Sequence, residues 1–443
     1  MDGTAWRARL AEWWAGAWRW VLMAAGAAVA VYILLGQRSP QSLPTALALA
    51  GLVIAATLTP RVPLAIALVA TPALFVITRA GLGGTDLSVS DVALAAAFGT
   101  VMLLGDKRFS VPVRRILWLN LAYQFATLIT VLANPFVANT IEWFHAWLLI
   151  SGALIVGWAL GRAGHARAAL LLMLGAACVI AVGTIITALL QFAHGDFGPV
   201  YPLIPFEMQK NFAGTVMGFA AVIAYANPTW LHLTRGWARM SFWLLCIAIV
   251  LTQSRQAGVG LIVAIVVVAL RGKAAGNTHS RFVLLLLIPG LWLITALVID
   301  QVSEDNPFNS ANTRIAWIQA MYGYWKESPF FGHGLRYWYQ GGWANFQPPQ
   351  AEIEVLVSTG IVGLLAFLVM WVGILIVLWR VDPVYGTLAF AVVLSRIVQA
   401  QFDLFWVAGQ VSIPFVIAGV CLGIQARHAA ARSPQPAGVA VTA

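Results

Sequence analysis

Apolar runs alternate with short polar segments along the whole chain. A helix of about 20 apolar residues crosses the roughly 30 Å hydrocarbon core of a bilayer. The runs predicted to be transmembrane helices are 17–35, 44–59, 62–79, 90–104, 115–133, 141–160, 167–190, 211–227, 240–252, 255–271, 281–299, 351–379, 384–400 and 405–425. The pattern therefore predicts an all-α polytopic membrane protein with about 12–14 transmembrane helices.

The composition agrees with this pattern. Of the 443 residues, 61% are hydrophobic and 9% are charged, whereas soluble domains carry about 25% charged residues. The first apolar run lacks a small-residue cleavage site and is followed by many others, so it is interpreted as a retained helix. The three cysteines, Cys178, Cys246 and Cys421, lie inside apolar runs, so neither a disulfide nor a Cys-x-x-Cys metal site is expected.

The net charge of +10 is distributed as membrane topology requires and does not indicate a nucleic-acid partner. With the N-terminus in the cytoplasm, the inner loops hold 18 of the 26 Lys and Arg residues and 4 of the 16 Asp and Glu residues. This excess follows the positive-inside rule and predicts a multi-pass protein with both termini in the cytoplasm. The short joint around residues 60–63, between the second and third runs, also fits a re-entrant segment.

The runs divide the chain into four parts. Residues 1–299 form an N-terminal bundle of about eleven spans, 300–350 a large external loop, 351–427 three further spans and 428–443 an Ala- and Pro-rich disordered tail. In "NTRIAWIQAMYGYWKESP" of the large loop, apolar residues recur at steps of three and four. This period predicts an amphipathic helix along the outer membrane surface, starting near Ser310 or Asn312 and ending before Pro329. An interfacial anchor without further function is the alternative interpretation.

The stretch "LTQSRQAGVG" (251–260) places an arginine at the edge of the bilayer. Arg255 lies in the first turn of the tenth span, where Ser254 can cap the helix. Oriented backbone amides and a bidentate guanidinium together suit a phosphate group. A snorkelling arginine at a helix end is the alternative. Further external cations extend the candidate site for an anionic lipid: Arg314, Arg336, Arg396 and Lys210.

Two further stretches suggest proton transfer. In "SPFFGHGLRYW", His333 lies between two glycines, and histidine is a natural proton acceptor near neutral pH; a structural turn is the alternative. Glu352 and Glu354 lie where the twelfth span enters the bilayer, a position that indicates a functional site or a buried arginine partner. Gly360 and Gly363 in the same span are expected to allow close helix packing.

The sequence contains none of the motifs Gly-x₄-Gly-Lys-Ser/Thr, His-Glu-x-x-His or Gly-x-Ser-x-Gly, nor a metal-ligand cluster. ATP-driven transport and metal-dependent hydrolysis are therefore not predicted, and no cofactor is expected.

In their order, "QKNFAG", "LTQSRQAG", "NTRIAWIQAMYGYWKESPFFGHGL" and "EVLVSTGIVGLLAFL" resemble the O-antigen ligase and Wzy-type polymerase superfamily over about residues 205–370. The resemblance implies a metal-independent membrane glycosyltransferase with a GT-C-like fold. It implies a glycan donor carried on undecaprenyl pyrophosphate outside the bacterial cytoplasmic (inner) membrane, and a glycan or lipid-glycan acceptor. It further implies that Arg255 and Arg314 bind the pyrophosphate.

The sequence departs from the ligase pattern at one position. Ligases carry a His-Asn or similar polar pair eleven and ten residues before a Gly-x-x-Gly motif, and here those positions are Pro349 and Gln350. His333 or Glu352 is therefore the predicted base. A Wzy-type polymerase with the same donor and a lipid-linked oligosaccharide flippase are the alternative functions. The large ordered loop and the lack of an internal repeat favour the enzyme over the transporter.

Overall fold

The computed structural model describes residues 62–78, 88–272, 310–339, 347 and 350–432, together with positions 8, 9, 12, 24 and 51. These residues contain helices and no β-strands, which confirms the all-α prediction. The helices with more than one turn are α1 (Ala65–Ala73), α2 (Val89–Leu104), α3 (Val111–Ala133), α4 (Val137–Arg162, with a π-helical turn at Leu148–Gly152), α5 (Ala166–Ala193), α6 (Lys210–Ala226), α7 (Arg235–Thr252), α8 (Arg255–Arg271), α9 (Ser310–Glu327), α10 (Ala351–Trp379), α11 (Pro383–Gln399) and α12 (Ala408–Arg432).

Six of the described helices, α3, α4, α5, α7, α10 and α12, are long and apolar enough to cross a membrane. Helices α2, α6, α8 and α11 have 16 or 17 residues and coincide with predicted spans. The chain is thus a polytopic helical membrane protein. The predicted spans 17–35, 44–59 and 281–299 lie outside the described residues, apart from positions 24 and 51.

The prediction of a full span over 62–79 was wrong. Helix α1 has nine residues, which rise about 13 Å and cover less than half of the hydrocarbon thickness. Its C-terminal side lies near the start of α12, because the carbonyl of Leu74 would be 2.5 Å from a Cβ placed on Gly409. The segment thus resembles the re-entrant alternative more than a complete span.

The prediction of a disordered tail was wrong for residues 428–432. Helix α12 continues to Arg432, and residues 433–443 lie outside the described part of the chain. The extension has two physical causes. Alanine and arginine favour helix strongly, and His428 Nδ1 lies 2.7 Å from the hydroxyl of Tyr385 on α11.

The closest contact between helices joins α4 to α12 through two Gly-x-x-x-Gly motifs. A Cβ added to Gly157 or Gly161 of α4 would lie 2.0 or 2.4 Å from a carbonyl oxygen of α12. Gly419 and Gly423 of α12 meet carbonyl oxygens of α4 at 2.3 Å each in the same way. Small residues at this spacing let two helices approach closely in a bilayer, and α12 is accordingly buried along its apolar length.

The helix ends form two groups. At one end, which we call the loop end, Ala351 N donates to Ala400 O at 2.9 Å and Val200 N donates to Leu251 O at 3.2 Å. At the opposite end, Arg162 reaches Ala426 O at 3.3 Å. The described segments predicted to be external lie at the loop end. The described arginine-rich segments predicted to be cytoplasmic lie at the opposite end.

Helix α10 is broken at Gly360, where φ is 67° and ψ is −170°. The break leaves backbone groups without helical partners, and the loop at 329–334 supplies them. The four bonds are His333 N to Val357 O (3.1 Å), Gly334 N to Ser358 O (2.9 Å), Ile361 N to Pro329 O (2.9 Å) and Val362 N to Phe330 O (3.3 Å). Gly360 therefore serves a backbone crossing with this loop, and the expectation of helix packing at this glycine was wrong. At Gly363, a Cβ would first meet Thr359 of the same helix, at 2.0 Å from its Oγ1.

Membrane orientation can be tested with single cysteines in a chain whose three native cysteines are replaced by alanine. Asp196 is exposed at the loop end and Lys107 is exposed at the opposite end. In intact cells, an impermeant maleimide should label Asp196→Cys and spare Lys107→Cys, because the positive-inside rule places the basic end in the cytoplasm. Labelling of Lys107→Cys alone would reverse the orientation.

The break in α10 predicts that adding one methyl group at Gly360 strongly destabilises the protein. A Cβ at Gly360 would lie 2.2 Å from the backbone of Phe330, and its left-handed φ is unfavourable for alanine. Gly360→Ala should therefore destabilise the protein by at least about 1–3 kcal/mol, measured by thermal unfolding in detergent. Gly175→Ala on α5 is the matched control, since a Cβ there meets nothing within 4 Å. Equal unfolding temperatures of the two variants would contradict the close backbone crossing at Gly360.

Candidate functional site

Two helices begin side by side at the loop end, each with a cation as its first residue. Lys210 begins α6 and Arg255 begins α8. The two helix starts are close, because a Cβ on Gly214 would lie 2.7 Å from the Cβ of Ser254. The charge on Arg255 also acts on Lys210 electrostatically. The structure therefore brings together three predicted phosphate-binding residues: Lys210, Ser254 and Arg255.

Ser254 occupies the N-cap position of α8, but its side chain makes no capping hydrogen bond. The Ser254 side chain is buried and its Oγ has no partner among the described residues, because it packs against α6. The N-cap residue of α6, Gln209, likewise makes no side-chain capping bond. The prediction of a serine cap was thus wrong. Both helix starts present first-turn amides and the positive ends of their dipoles without a side-chain cap.

Arg396 lies in the bundle interior. Its side chain is 0% exposed, and Nη2 donates to Leu404 O at 2.7 Å and also to Phe405 O. Its Nε and Nη1 have no partner among the described residues. In this arrangement Arg396 holds the chain between α11 and α12 and does not reach the surface of the loop end, where a ligand was expected.

Acidic and amide side chains surround this buried arginine. Asp403 and Glu354 act on Arg396 electrostatically. Glu354 is 2% exposed and accepts bonds from Gln347 Nε2 at 2.5 Å and Phe405 N at 3.3 Å. It is therefore the carboxylate with an arginine nearby, one of the two roles expected for the acids at the start of this span.

Glu352 is half-buried near the same segment. Its Oε1 accepts from Gln401 Nε2 at 2.7 Å, and its Oε2 is buried without a partner among the described residues. One carboxylate oxygen of this candidate base is therefore occupied and the other is not.

A hydrogen bond that the sequence did not indicate links this acidic region to the start of α8, next to Arg255. Gln256, the next residue of α8, donates to Asp403 Oδ2 at 2.6 Å. Gln410 of α12 approaches the same oxygen at 3.4 Å. Polar residues inside apolar runs were the available signal, but their pairing depends on which helices are neighbours.

His333 is half-buried and held in one orientation. Its Nε2 lies 2.8 Å from the carbonyl oxygen of Tyr324, and its ring stacks on Tyr337 with 4.6 Å between centroids. Because a carbonyl can only accept, Nε2 carries the proton and Nδ1 of the neutral ring is the acceptor. In this tautomer, Nδ1 has the free electron pair and can accept a proton.

Arg336 pairs with an acid of the bundle. Its Nε donates to Glu142 Oε2 at 2.9 Å, and the Glu142 side chain is 6% exposed. The other oxygen of Glu142 lies 3.2 Å from His145 Nδ1, and His145 Nε2 lies 2.8 Å from Asp91 Oδ1. The sequence predicts Arg336 as a phosphate ligand and does not single out His145, which lies within a predicted span. The spacing of Glu142 and His145, one helical turn apart, was the available signal.

Arg314 lies in helix α9, as the amphipathic pattern predicted; its side chain lies outside the described part of the structure. The helix packs onto the broken span through Met321, which is 1% exposed and clusters with Trp338 and Val357. Ile318 and Tyr322 of the same helix are exposed. The apolar residues of α9 are thus divided between protein contact and the surface.

A cavity of about 750 Å³ lies between the end of α5 and the segment 194–204. Its lining includes His194, Asp196 and Tyr201 but none of the predicted site residues. The cavity nevertheless borders the candidate site, because Lys210 Nζ lies 5.9 Å from the centroid of the Tyr201 ring.

Hydrogen bonds connect the starts of α6 and α8, the buried acids and the loop that carries His333. Gln256 joins the starts of α6 and α8 to Asp403, and Glu354 joins the neighbouring Phe405 to α10. One turn further along α10, the carbonyl of Val357 binds the amide of His333. The cations, acids and histidine thus occupy one continuous region across the loop end.

A comparison with known protein families supports the resemblance over part of the chain. Residues 240–368 match the family model described as O-Antigen ligase. The match confirms the resemblance to the O-antigen ligase and Wzy-type superfamily, and it supports a membrane glycosyltransferase of the ligase or polymerase type. It covers Arg255, Arg314, His333, Arg336 and Glu352 and excludes Lys210 and Arg396. No curated protein matches the chain.

Proposed function

We propose, from the premise that residues 240–368 are an O-antigen ligase segment, that this protein transfers a glycan from undecaprenyl pyrophosphate to an acceptor. The reaction takes place at the loop end, on the external face of the bacterial cytoplasmic membrane. The acceptor is a lipid-glycan in a ligase and a second glycan in a Wzy-type polymerase. Neither a metal nor a cofactor takes part in this proposal.

The observation that carries the donor assignment is the pair of helix starts at Lys210 and Arg255. Each offers uncapped amides, a positive dipole end and a side-chain cation. A pyrophosphate has two phosphoryl groups, and helix N-termini bind such groups through their amides. Arg314, at the N-terminal part of α9, is the third cation of this clamp.

The clamp would stabilise the leaving group. In the transfer, the acceptor hydroxyl forms a bond to the anomeric carbon while the bond from that carbon to the phosphate oxygen breaks. The electron pair of the broken bond stays on the pyrophosphate of the carrier lipid. Arginines and helix amides held in place before the reaction stabilise this developing charge, and such electrostatic terms are usually large.

The acceptor hydroxyl must lose its proton in this step. We assign His333 Nδ1 as the base, because the bond from Nε2 to the Tyr324 carbonyl leaves Nδ1 as the acceptor. Glu352 is the second candidate, and one of its oxygens already accepts from Gln401. Histidine is also the usual proton acceptor near neutral pH.

The clamp is tested with purified protein and a lipid-linked glycan in detergent, by measuring release of polyprenyl pyrophosphate. Arg255→Ala and Arg314→Ala should each reduce turnover at least about 10²-fold. Arg255→Lys should restore little, because an ammonium lacks the bidentate fork. Arg108→Ala is the control, since the Arg108 side chain is 88% exposed at the opposite end.

If both alanine variants release polyprenyl pyrophosphate at the wild-type rate, these arginines do not bind the donor and serve only as membrane anchors. A wild-type protein that releases no pyrophosphate in detergent but moves the lipid-linked glycan across closed vesicles would be a transporter. Surface glycans of a deletion strain assign the acceptor. Single repeat units on the acceptor indicate a polymerase, and an undecorated acceptor indicates a ligase.

The base is tested in the same assay. His333→Ala should lower turnover about 10²–10⁴-fold, the usual contribution of a positioned base, whereas Glu352→Gln should have a smaller effect. The reverse pattern would make Glu352 the base. Full activity in both variants would mean that the transfer proceeds without a side-chain base.

A further inference from the structure

The turn between α3 and α4 holds the loop that carries His333. Asn134 of this turn, together with Asn139 and Glu142 at the start of α4, contacts the loop within five consecutive residues. Asn134 Nδ2 donates to Gly332 O at 3.3 Å, Asn139 Oδ1 accepts from Leu335 N at 2.9 Å, and Glu142 Oε2 accepts from Arg336 Nε at 2.9 Å. These contacts join residues almost 200 positions apart in sequence, so they are purely tertiary.

The contact between this loop and the start of α4 is closely packed. Asn139 is 0% exposed, and its Nδ2 is fixed by a 3.0 Å bond to Asn134 O. Gly334 has a φ of 106°, and a Cβ there would lie 2.7 Å from the Phe136 ring. The loop backbone is thus pressed against the turn on one side and bonded to the broken α10 on the other.

The charged contact continues into the bundle. His145 places its two ring nitrogens against Glu142 and Asp91, at 3.2 and 2.8 Å. A doubly protonated ring donates to both carboxylates, and Arg336 then balances the second negative charge. Asp91 is itself bound by the hydroxyl and the amide of Ser88, at 2.8 and 2.9 Å. Removing one member of such a buried chain leaves an uncompensated charge.

We propose that Asn139 and Glu142 are positioning residues for the transfer, which hold the His333 loop against the bundle, and that Arg336 is the loop's anchor and not a phosphate ligand. The inference rests on the proposed function, since it takes His333 as the base. It extends the site to residues 134–145, which lie outside the segment matched to the family.

The expected kinetic effect is on turnover. A displacement of about 1 Å in a reacting group can cost up to about 10²-fold in rate, whereas the donor binds elsewhere, at α6 and α8. Asn139→Ala should therefore lower kcat about tenfold and leave KM for the lipid-linked donor within about twofold. Glu142→Gln should be milder than Glu142→Ala, because the amide oxygen still accepts from Arg336.

A double-mutant cycle separates the two roles of Arg336. If Arg336 acts only through Glu142, then Arg336→Ala combined with Glu142→Ala should be no worse than either single variant, because both remove the same contact. If Arg336 binds phosphate, Arg336→Ala should raise KM for the donor and its effect should add to that of Glu142→Ala. That second result would overturn the proposal. Glu327→Gln, at an exposed carboxylate of α9, is the control for loss of charge.

Hydrogen exchange tests the same contact without any substrate. In purified protein, the amides of residues 332–336 should exchange faster in Asn139→Ala and Glu142→Ala than in wild type, while α12 keeps its protection. Unchanged exchange of the loop together with unchanged kcat would overturn the proposal. Faster exchange in a protein that transfers no glycan would sustain the loop contact and reject the proposed function, so the two failures are distinguishable.

Discussion

The break in α10 at Gly360 is the constraint on which the loop end depends. Hydrocarbon offers no water to a broken helix, so the freed carbonyls and amides must find protein partners. The 329–334 loop provides two amides and two carbonyls for this purpose. Leaving such groups unpaired costs several kcal/mol, so the loop has little freedom in where it lies. The position of His333 is therefore set by the hydrogen bonds that the broken backbone of α10 requires.

The buried charges of the loop end stabilise the ends of the helices. Arg396 holds the connection to α12 through two carbonyls, and Glu354 holds the same connection through the amide of Phe405. Charged groups in a bilayer are expensive unless they are paired and hydrogen-bonded. Their clustering at one end leaves the remainder of the bundle to close packing, most clearly between the glycines of α4 and α12. The result is a rigid frame beneath the starts of α6 and α8.

The candidate site extends beyond the matched segment toward the N-terminus of the chain. That segment supplies Arg255, Arg314, His333 and Glu352, which are most of the groups proposed to touch the donor or the acceptor. The rest of the chain supplies Lys210 beside Arg255 and Glu142 behind the loop. Apart from Lys210, this division agrees with the chemistry, because the groups that touch the substrates need a particular residue type, whereas the groups that hold them need only a matching partner. Short motifs record the first kind of residue more readily than the second.

The sequence by itself determined the helical membrane class, most helix positions and the grouping of polar segments at two ends. These properties depend on local hydropathy, helix period and loop charge, which act within about 20 residues. Short motifs also singled out Arg255 and His333 as candidate site residues. The nine-residue α1, the interior position of Arg396 and the ion pair of Arg336 with Glu142 were decided by tertiary structure. Each depends on which helices become neighbours, and hydropathy cannot encode that choice, because every apolar helix face is equally compatible with lipid and with another helix.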